Sequence, residues 1–403
     1  MLSRFKFVVV VGSTFLAALL VLGAALGERT SADGAYRQLS VYTEVLSKIK
    51  SDYVEDPDIK RVTRGALAGL LESLDPYSCY LTADQYKDYE KRRASPAPGG
   101  VGLVLSKRVG IVFVLASLPG SPAVKAGLGV WDQVDAIDGQ ATRELPLPLA
   151  QALLSGPVGS NVTVLVRRSR RGEEPQEITL TRAVVASSTS HRLMEDKVGY
   201  LELKTLGPGK AAEAARALRE LTSQGAERMV LDLRGNAWGE LQEGIKLANL
   251  FVDSGLLAYL EGQKSPRKEF SADPRQSISK MPLVVLTNRA TAGAAELAVA
   301  AIADRQRGQI VGERTFGLAA EQKTLPMDDG AALILSIAKY YRPSGKAIQD
   351  GGINPNLLVA DTALEHAEEG TAPPPDQPGE KPADEVLKKA LEVLKGATVA
   401  AAA

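Results

Sequence analysis

The sequence predicts a multidomain α/β protein with an N-terminal helical segment, a β-rich domain, an α/β core and a C-terminal helix. Its length of 403 residues exceeds one ordinary domain. A hydrophobic fraction of 45% and a charged fraction of 24% are typical of a globular protein that buries a core. Hydrophobic residues recur at helical spacing up to about Arg93. Short strands with glycine turns follow from Pro96, and strands alternate with helices from about Ser187.

Composition argues against several classes of function. Basic and acidic side chains balance at 48 each, so no nucleic-acid partner is expected. A single cysteine, Cys79, excludes an intrachain disulfide and is interpreted as a small buried hydrophobe. Two histidines, His191 and His366, leave little material for a histidine triad or a zinc site, and we interpret both as surface or loop residues. No metal and no cofactor is therefore expected.

The N-terminus carries a membrane-targeting pattern. Arg4 and Lys6 precede an uncharged run from Phe7 to Leu26, and about 20 residues are enough to cross a hydrocarbon core as a helix. Ala25-Leu-Gly27 also fits a signal-peptidase site, although cleaved signals usually have a shorter apolar core. Residues 1–27 are therefore predicted to be a membrane anchor or a cleaved signal peptide, with the anchor favoured. Because the basic flank stays in the cytoplasm, the remainder is expected in the periplasm or cell envelope.

Residues 36–96 form a predicted helical region. Apolar residues recur at helical spacing in two runs: Leu39, Tyr42, Val45, Leu46 and Ile49, then Val62, Ala66, Leu70 and Leu71. The stretch Leu74–Leu81 breaks the pattern, since its proline disfavours helix at the preceding residue. Thr82 is predicted to cap the helix that follows. We interpret the region as a small helical cap or a dimerisation arm.

Residues 97–185 combine short strands, glycine turns and one helix. Gly110–Leu115 and Asn161–Arg167 are predicted strands, and Leu149–Leu154 is a predicted helix. The pattern Gly-Ser-Pro-Ala-x-x-Ala-Gly-Leu at 120–128, with Ile-Asp-Gly at 137–139, resembles a PDZ domain of the protease-associated kind. There is one departure from that family: Trp131 stands where the family has glycine, so the tight turn there is expected to be remodelled.

The resemblance predicts a peptide-binding groove. The backbone N–H groups of Gly100, Val101, Gly102 and Leu103 are expected to face a C-terminal carboxylate, and the next strand is expected to present an exposed edge. Such an edge captures a peptide by adding it to the sheet. The alternative is a PDZ-like domain that only braces its neighbour.

Residues 187–361 alternate strands and helices, which predicts an α/β layer with strands that are parallel in part. The predicted strands are Val198–Leu203, Arg228–Arg234, Pro282–Asn288, Ile334–Tyr341 and Leu357–Val359. The predicted helices are Lys210–Gln224, Leu241–Val252 and Ala294–Ala303.

Ordered motifs in this segment resemble those of the carboxyl-terminal processing peptidases, also called tail-specific proteases. The motifs are Gly199-Tyr-Leu, Leu231-Asp-Leu-Arg, Thr315-Phe-Gly, Tyr341-Arg-Pro-Ser-Gly-Lys-Ala-Ile-Gln and Gly352-Ile-Asn-Pro. Members of that family are serine peptidases with an embedded PDZ domain and a Ser–Lys dyad. The resemblance implies a peptidase-like α/β core and covers nearly all of the chain after its N-terminal segment.

The two residues that carry the family's chemistry are missing. The family pattern Ser-Ala-Ser-Ala-Ser-Glu, with the middle serine as nucleophile, corresponds to Thr291–Glu296, which puts Gly293 at the nucleophile position. The family's lysine base follows Thr-Phe-Gly, a position that Leu318 occupies here. The offset of 25 residues between the two positions matches the family spacing. Since a serine hydroxyl needs a base to become a nucleophile, the resemblance implies a degenerate catalytic site.

Three further family positions bear on that site. Trp238 replaces a glycine of the oxyanion loop, where glycine-only dihedrals would be lost and an indole could fill the site. Asp304 and Gln322 stand where the family keeps an aspartate and a glutamine, and we expect them to order loops by hydrogen bonding. Rescue of activity by Thr291 and Lys323 is disfavoured, because Thr291 is displaced by two residues and Lys323 would point to the opposite strand face.

The C-terminus is predicted to be a linker and a helix. Residues 365–383 are too rich in proline and polar side chains to pack. Residues 384–396 show helical spacing and end at Gly396, so an amphipathic helix is expected to dock on its own domain or on a second subunit.

Two functions compete on this basis. The favoured hypothesis is a non-catalytic homologue that binds the C-termini or unfolded tails of exported proteins through its PDZ domain, as an adaptor or regulator of proteolysis, with an active protease and a second copy of the chain as further possible partners. The alternative is an active serine-type endopeptidase with a non-standard nucleophile. Whether the chain is an enzyme is left open.

Overall fold

The computed structural model describes residues 32–168, 174–185, 189–361 and 384–401. The predicted anchor or signal, the whole predicted linker (365–383) and His366 lie outside these ranges. Within them, no helix is both long and apolar enough to cross a membrane. The chain divides into two compact units, Met1–Leu67 and Ala68–Ala403, so the predicted helical region 36–96 is split between them.

Three helices and a short strand fill the predicted helical region, in the order α1 (Ala32–Asp52), α2 (Ile59–Glu72), β1 (Cys79–Leu81) and α3 (Ala83–Ala94). The predicted cap of α3 is confirmed, because the Thr82 hydroxyl accepts the Gln85 N–H and the Gln85 side chain accepts the Thr82 N–H. Strand β1 was not predicted. Its partners are residues 332–334, about 250 residues away, so local sequence carries little sign of it.

The PDZ-like segment forms a six-stranded antiparallel sheet with two helices. Its elements are β2 (Leu103–Arg108), β3 (Ile111–Ser117), α4 (Pro122–Lys125), β4 (Gln133–Ile137), β5 (Gln140–Ala141), α5 (Leu147–Leu153), β6 (Asn161–Arg167) and β7 (Gln176–Thr181). The strand order is β2-β3-β4-β6-β7, with β5 paired to β4. Alternate residues of β6 point into the domain core, where Val162, Val164 and Val166 are buried. Strand β2 lies at an edge of the sheet.

A second sheet, mostly parallel, forms the centre of the α/β core. Its strand order is β17-β14-β13-β10-β9-β8, and only β8 runs antiparallel to its neighbour. This confirms the predicted parallel layer. The elements are β8 (Thr189–Leu193), β9 (Val198–Leu203), α6 (Lys210–Ser223), β10 (Arg228–Asp232), α7 (Leu241–Asn249), β13 (Leu283–Thr287), α8 (Ala294–Asp304), β14 (Gln309–Gly312) and β17 (Leu357–Leu358).

A third sheet completes the core, with strand order β1-β16-β11-β12 and β15 paired to β16. Its strands are β11 (Leu256–Gly262), β12 (Ser265–Ser271), β15 (Ala320–Pro326) and β16 (Ala332–Tyr341), of which only β16 was predicted. The composition of β12 explains why that strand was missed. Five of its seven residues are polar or charged and most are exposed, so its sequence lacks the alternation that marks a half-buried strand.

Helices cover both faces of the parallel sheet. On one face α7 and α8 meet so closely that a Cβ added at Gly244 would lie 1.9 Å from the Ala294 carbonyl oxygen. On the other face lies α9 (Glu385–Ala401), which buries Val386, Ala390 and Leu394. The helix therefore docks on its own domain. It continues past the predicted end at Gly396, because a helical glycine costs only about 1 kcal/mol and alanines follow it.

Candidate functional site

The turn that carries the predicted nucleophile position joins a buried strand to a buried helix. All five residues of β13 are buried, and the first nine residues of α8 are buried as well. Gly293 is the N-cap of α8, with φ +64° and ψ −121°. Positive φ favours glycine over any residue with a side chain. A side chain at position 293 would therefore stand on a strained strand–helix turn, as nucleophiles on such turns do.

The second predicted position lies directly opposite this turn. A Cβ built on Gly293 would be 3.8 Å from the Leu318 carbonyl oxygen, with no other heavy atom within 4 Å beyond the neighbouring residues in the chain. The structure thus brings Gly293 and Leu318 together, as their spacing predicts. Position 293 carries no side chain, and the aliphatic Leu318 side chain neither accepts nor donates a proton.

A buried carboxylate, Glu296, ties the two positions to each other. Its Oε2 accepts N–H groups from Gly293 at 3.0 Å and from Leu318 at 2.7 Å. Its Oε1 accepts the Gly317 N–H at 2.7 Å and the Thr315 hydroxyl. Burial raises the pKa of Glu296 to about 7, although these hydrogen bonds oppose the shift. Glu296 was not among the predicted site residues. The sequence feature that could have identified it is its position three residues after the N-cap, where a glutamate side chain accepts the backbone N–H of the N-cap residue.

The loop after β10 lies against the same turn. The Asn236 carbonyl oxygen accepts the Ala292 N–H at 2.8 Å, and the Gly235 N–H donates to the Asn288 side chain at 3.0 Å. Ala237 and Ala292 belong to one apolar cluster, and Leu318 packs against it. The loop that the resemblance assigns to oxyanion binding is thus next to positions 293 and 318.

The backbone and the ring position of Trp238 both differ from what the sequence predicted. It is not among the described residues with positive φ, so the loop needs no glycine-only dihedrals at this position. Trp238 is 49% exposed, and its ring lies against Gly207, where an added Cβ would meet ring carbon Cζ3 at 2.6 Å. The contact that the structure gives for this ring is therefore on the side of Gly207.

An ion-pair network fixes the start of that loop. Asp232 is fully buried and accepts hydrogen bonds from the Tyr200 hydroxyl at 2.7 Å and from the Arg234 guanidinium. Burial alone would raise the pKa of Asp232, but Arg234 beside it holds the pKa below its ordinary value. Arg234 also forms a two-point pair with Asp384, at 2.9 and 2.7 Å. The start of α9 is thereby connected to the residue that precedes the loop.

The two residues considered for rescue differ in their surroundings. Thr291 is fully buried, and its hydroxyl donates to the Leu233 carbonyl oxygen at 2.9 Å while it accepts the Asn288 N–H. Lys323 is exposed on β15, where it pairs in register with Leu335.

The two retained family positions, Asp304 and Gln322, form hydrogen bonds with other segments of the chain. Asp304 ends α8, about 16 Å from Gly293 at the helical rise, and binds Arg342 and the Ser344 N–H at 2.9 Å. Gln322 is exposed and donates to the Tyr77 carbonyl oxygen at 2.9 Å. These hydrogen bonds join both residues to segments other than the turn at Gly293.

The PDZ-like sheet packs beside the site. Phe113 of β3 stacks on Trp131 with ring centroids 5.1 Å apart and lies 6.4 Å from the Phe316 ring. Trp131 adopts φ +71°, so the predicted remodelling of this turn is wrong. The turn keeps the left-handed backbone that glycine favours, with the Trp131 ring stacked on Phe113. Beside Leu318 opens a cavity of 760 Å³, lined among others by Tyr77, Arg108, Gly317 and Asp350.

The residues predicted to bind a carboxylate form a loop before β2. Gly100 is already paired with Ala183 through both its N–H and its carbonyl oxygen, so its N–H is not open to a ligand. Gly102 has φ +78°, and a Cβ there would lie 2.2 Å from the Ser121 Cβ, so this position requires glycine. Val101 and Leu103 are buried at the start of β2, and β2 is the predicted sheet edge.

Histidine and acidic side chains form no metal site in the described ranges, where no group of three or more His, Cys, Asp or Glu residues is placed to hold an ion. His191 lies on β8 and is paired with Glu220 at 2.8 Å. Burial raises the pKa of the Cys79 thiol to about 12, in agreement with an inert side chain.

Comparison with known proteins identifies the family. A model described as Peptidase family S41 matches residues 197–359, and a PDZ-domain model matches residues 113–168. A carboxyl-terminal-processing protease of Synechocystis sp. is 33% identical over 86% of this chain and 81% of the relative. The carboxy-terminal processing protease CtpA of Bacillus subtilis is 30% identical over 82% of this chain and 71% of the relative.

A solved structure agrees with these relatives. The photosystem II D1 C-terminal processing protease superposes with a TM-score of 0.64 and 29% identity, covering 79% of this chain and 92% of that protein. The chain therefore belongs to peptidase family S41, together with relatives named carboxyl-terminal processing proteases, and it carries a PDZ domain.

Proposed function

We propose that this chain is a non-catalytic homologue of the carboxyl-terminal processing peptidases that binds protein C-termini through its PDZ domain, as an adaptor or regulator of proteolysis. One observation carries the proposal. A Cβ built on Gly293 would lie 3.8 Å from the Leu318 carbonyl oxygen, and neither of these residues, at the family's nucleophile and base positions, has a reactive side chain.

The surrounding chemistry supports this proposal. The Thr291 hydroxyl is committed to the Leu233 carbonyl oxygen inside the core, so it faces no substrate. Lys323 is exposed and lacks the desolvation that turns a lysine into a base. Loss of both nucleophile and base leaves only the residual rate that binding and oxyanion contacts supply.

The PDZ domain favours peptide binding as the activity of this chain. The loop Val101–Leu103 leads into an edge strand, β2, with helix α5 beside it. A carboxylate loop followed by a free strand edge is the arrangement by which PDZ domains add a peptide to their sheet. The ligands we propose are C-termini or unfolded tails of exported proteins, with an active protease as a possible partner and a homodimer as a possible assembly.

The proposal includes an extracytoplasmic location. Its support is the N-terminal sequence, where Arg4 and Lys6 precede the uncharged run Phe7–Leu26. We propose attachment to the cytoplasmic membrane through this segment, with the rest of the chain in the periplasm or cell envelope. Fractionation of cells that express the full chain, with protease added from outside, tests this location.

The peptide-binding proposal is tested by titrating the purified full chain with fluorescent peptides of one sequence, ending either in a free carboxylate or in an amide. Binding of the carboxylate form and at least tenfold weaker binding of the amide form are expected, because the loop N–H groups pair with the carboxylate. Equal binding of the two forms, or binding of neither, would contradict the proposal.

A further inference from the structure

The edge of β2 that has no partner strand forms hydrogen bonds with a side chain of the same domain. Gln151 lies on α5, beside this edge. Its Oε1 accepts the Leu105 N–H at 2.8 Å, and its Nε2 donates to the Leu103 carbonyl oxygen at 2.9 Å. Both distances are those of full hydrogen bonds.

These two backbone groups are the ones that an added strand would use. Strand β2 pairs with β3 on one side only, so the N–H and C=O groups on the other side face the groove between β2 and α5. The residues that bond to Gln151, Leu103 and Leu105, are two apart and therefore point their edge groups in the same direction. A primary amide offers one donor and one acceptor, as a peptide group does.

We propose that Gln151 is an internal competitor for the peptide groove, which a bound C-terminal peptide must displace before it can pair with β2. The inference rests on the proposed peptide-binding function. It predicts a two-step capture in which the terminal carboxylate meets the loop first and strand pairing follows once the Gln151 amide has left the edge. A tail that pairs only weakly with β2 therefore does not displace Gln151 and does not bind.

The size of this threshold follows from the two hydrogen bonds. Each bond that the peptide must replace reduces the net gain of strand addition, and exchange of two such bonds is expected to weaken binding about tenfold. The Gln151 side chain is half-buried, so removal of its amide leaves the domain core untouched.

The test compares four forms of the full chain in a titration with a carboxylate-ended fluorescent peptide. They are the wild type, Gln151→Met, which keeps the side-chain length without the amide, Gln151→Ala, and the control Gln176→Met, which changes an exposed glutamine on the opposite edge strand β7. The two Gln151 variants are expected to bind about tenfold more tightly, and the control to bind as the wild type does.

Amide hydrogen exchange supplies a readout that needs no peptide. The Leu105 N–H is expected to be protected in the wild type and to exchange at least tenfold faster in Gln151→Met. An unprotected Leu105 N–H in the wild type, or equal peptide affinity of the wild type and both Gln151 variants, overturns the inference and leaves the proposed function standing. Absence of binding in all four forms overturns the proposed function and the inference with it.

Discussion

Replacement of the buried carboxylate beside positions 293 and 318 provides a quantitative test of the structure. Glu296 is fully buried, and burial raises its pKa from 4.5 to about 7 against the opposing hydrogen bonds of Thr315, Leu318, Gly317 and Gly293. Glu296→Gln keeps the shape of the side chain but stays neutral at every pH. The variant therefore removes one titrating group, the Glu296 carboxyl, and keeps the side-chain packing.

The sign and size of the effect follow from linkage. The folded-state pKa lies above the unfolded value, so the folded chain binds this proton more tightly, and the resulting stability is fully present below pH 4.5. It is lost as pH rises through about 7. A rise of the pKa from 4.5 to about 7, at 1.36 kcal/mol per pKa unit, corresponds to about 3 kcal/mol.

Urea unfolding of the wild type and Glu296→Gln, repeated from pH 4.5 to pH 8, measures this quantity. The other titrating groups are common to both proteins, so the wild-type unfolding free energy minus that of the variant reports Glu296. We expect this difference to fall by about 3 kcal/mol between pH 4.5 and pH 8. A difference that stays constant across the range, or that rises with pH, would refute the reasoning.

Two further substitutions test the backbone of the site and the docking of the C-terminal helix. Gly293→Ala is expected to cost about 1–3 kcal/mol of unfolding free energy, because φ is +64° although space for the methyl group is open. The control is Gly69→Ala in α2, where an added Cβ would have nothing within 4 Å apart from its chain neighbours and its own helix backbone. This variant is expected to be neutral or stabilising in the same denaturant titration. Leu394→Ala is expected to cost about 2–5 kcal/mol, because Leu394 is 1% exposed against the sheet; loss below 0.5 kcal/mol would contradict the docking of α9.

Much of the fold follows from sequence, for reasons that particular elements make clear. Strand β13 and helix α8 are almost wholly apolar, and their predicted bounds agree with the structure to within one residue at each end. Strands β1 and β12 were missed, because their residues are stabilised by partners distant in the chain or are mostly polar. Local pattern carries little information about such strands.

Some features of the candidate site were likewise predicted from the sequence, and others were not. The meeting of Gly293 and Leu318 was predicted, because well-matched motifs flank both positions at the family spacing. The Glu296 hydrogen bonds and the occupation of the β2 edge by Gln151 were not predicted. Both depend on which backbone groups a side chain reaches in three dimensions, and neither leaves a periodic trace in the sequence.

We propose that this chain has no peptidase activity, and a cleavage assay distinguishes this proposal from its alternative. Purified full-length protein is incubated with an unfolded protein that exposes its C-terminus, alongside the variant Gly293→Ser with Leu318→Lys, and cleavage is followed by mass spectrometry. No cleavage by the wild type is expected, and gain of cleavage by the double variant would show an otherwise intact scaffold. Wild-type cleavage that is lost in Thr291→Val or Lys323→Ala would contradict the account and establish the alternative of a relocated nucleophile.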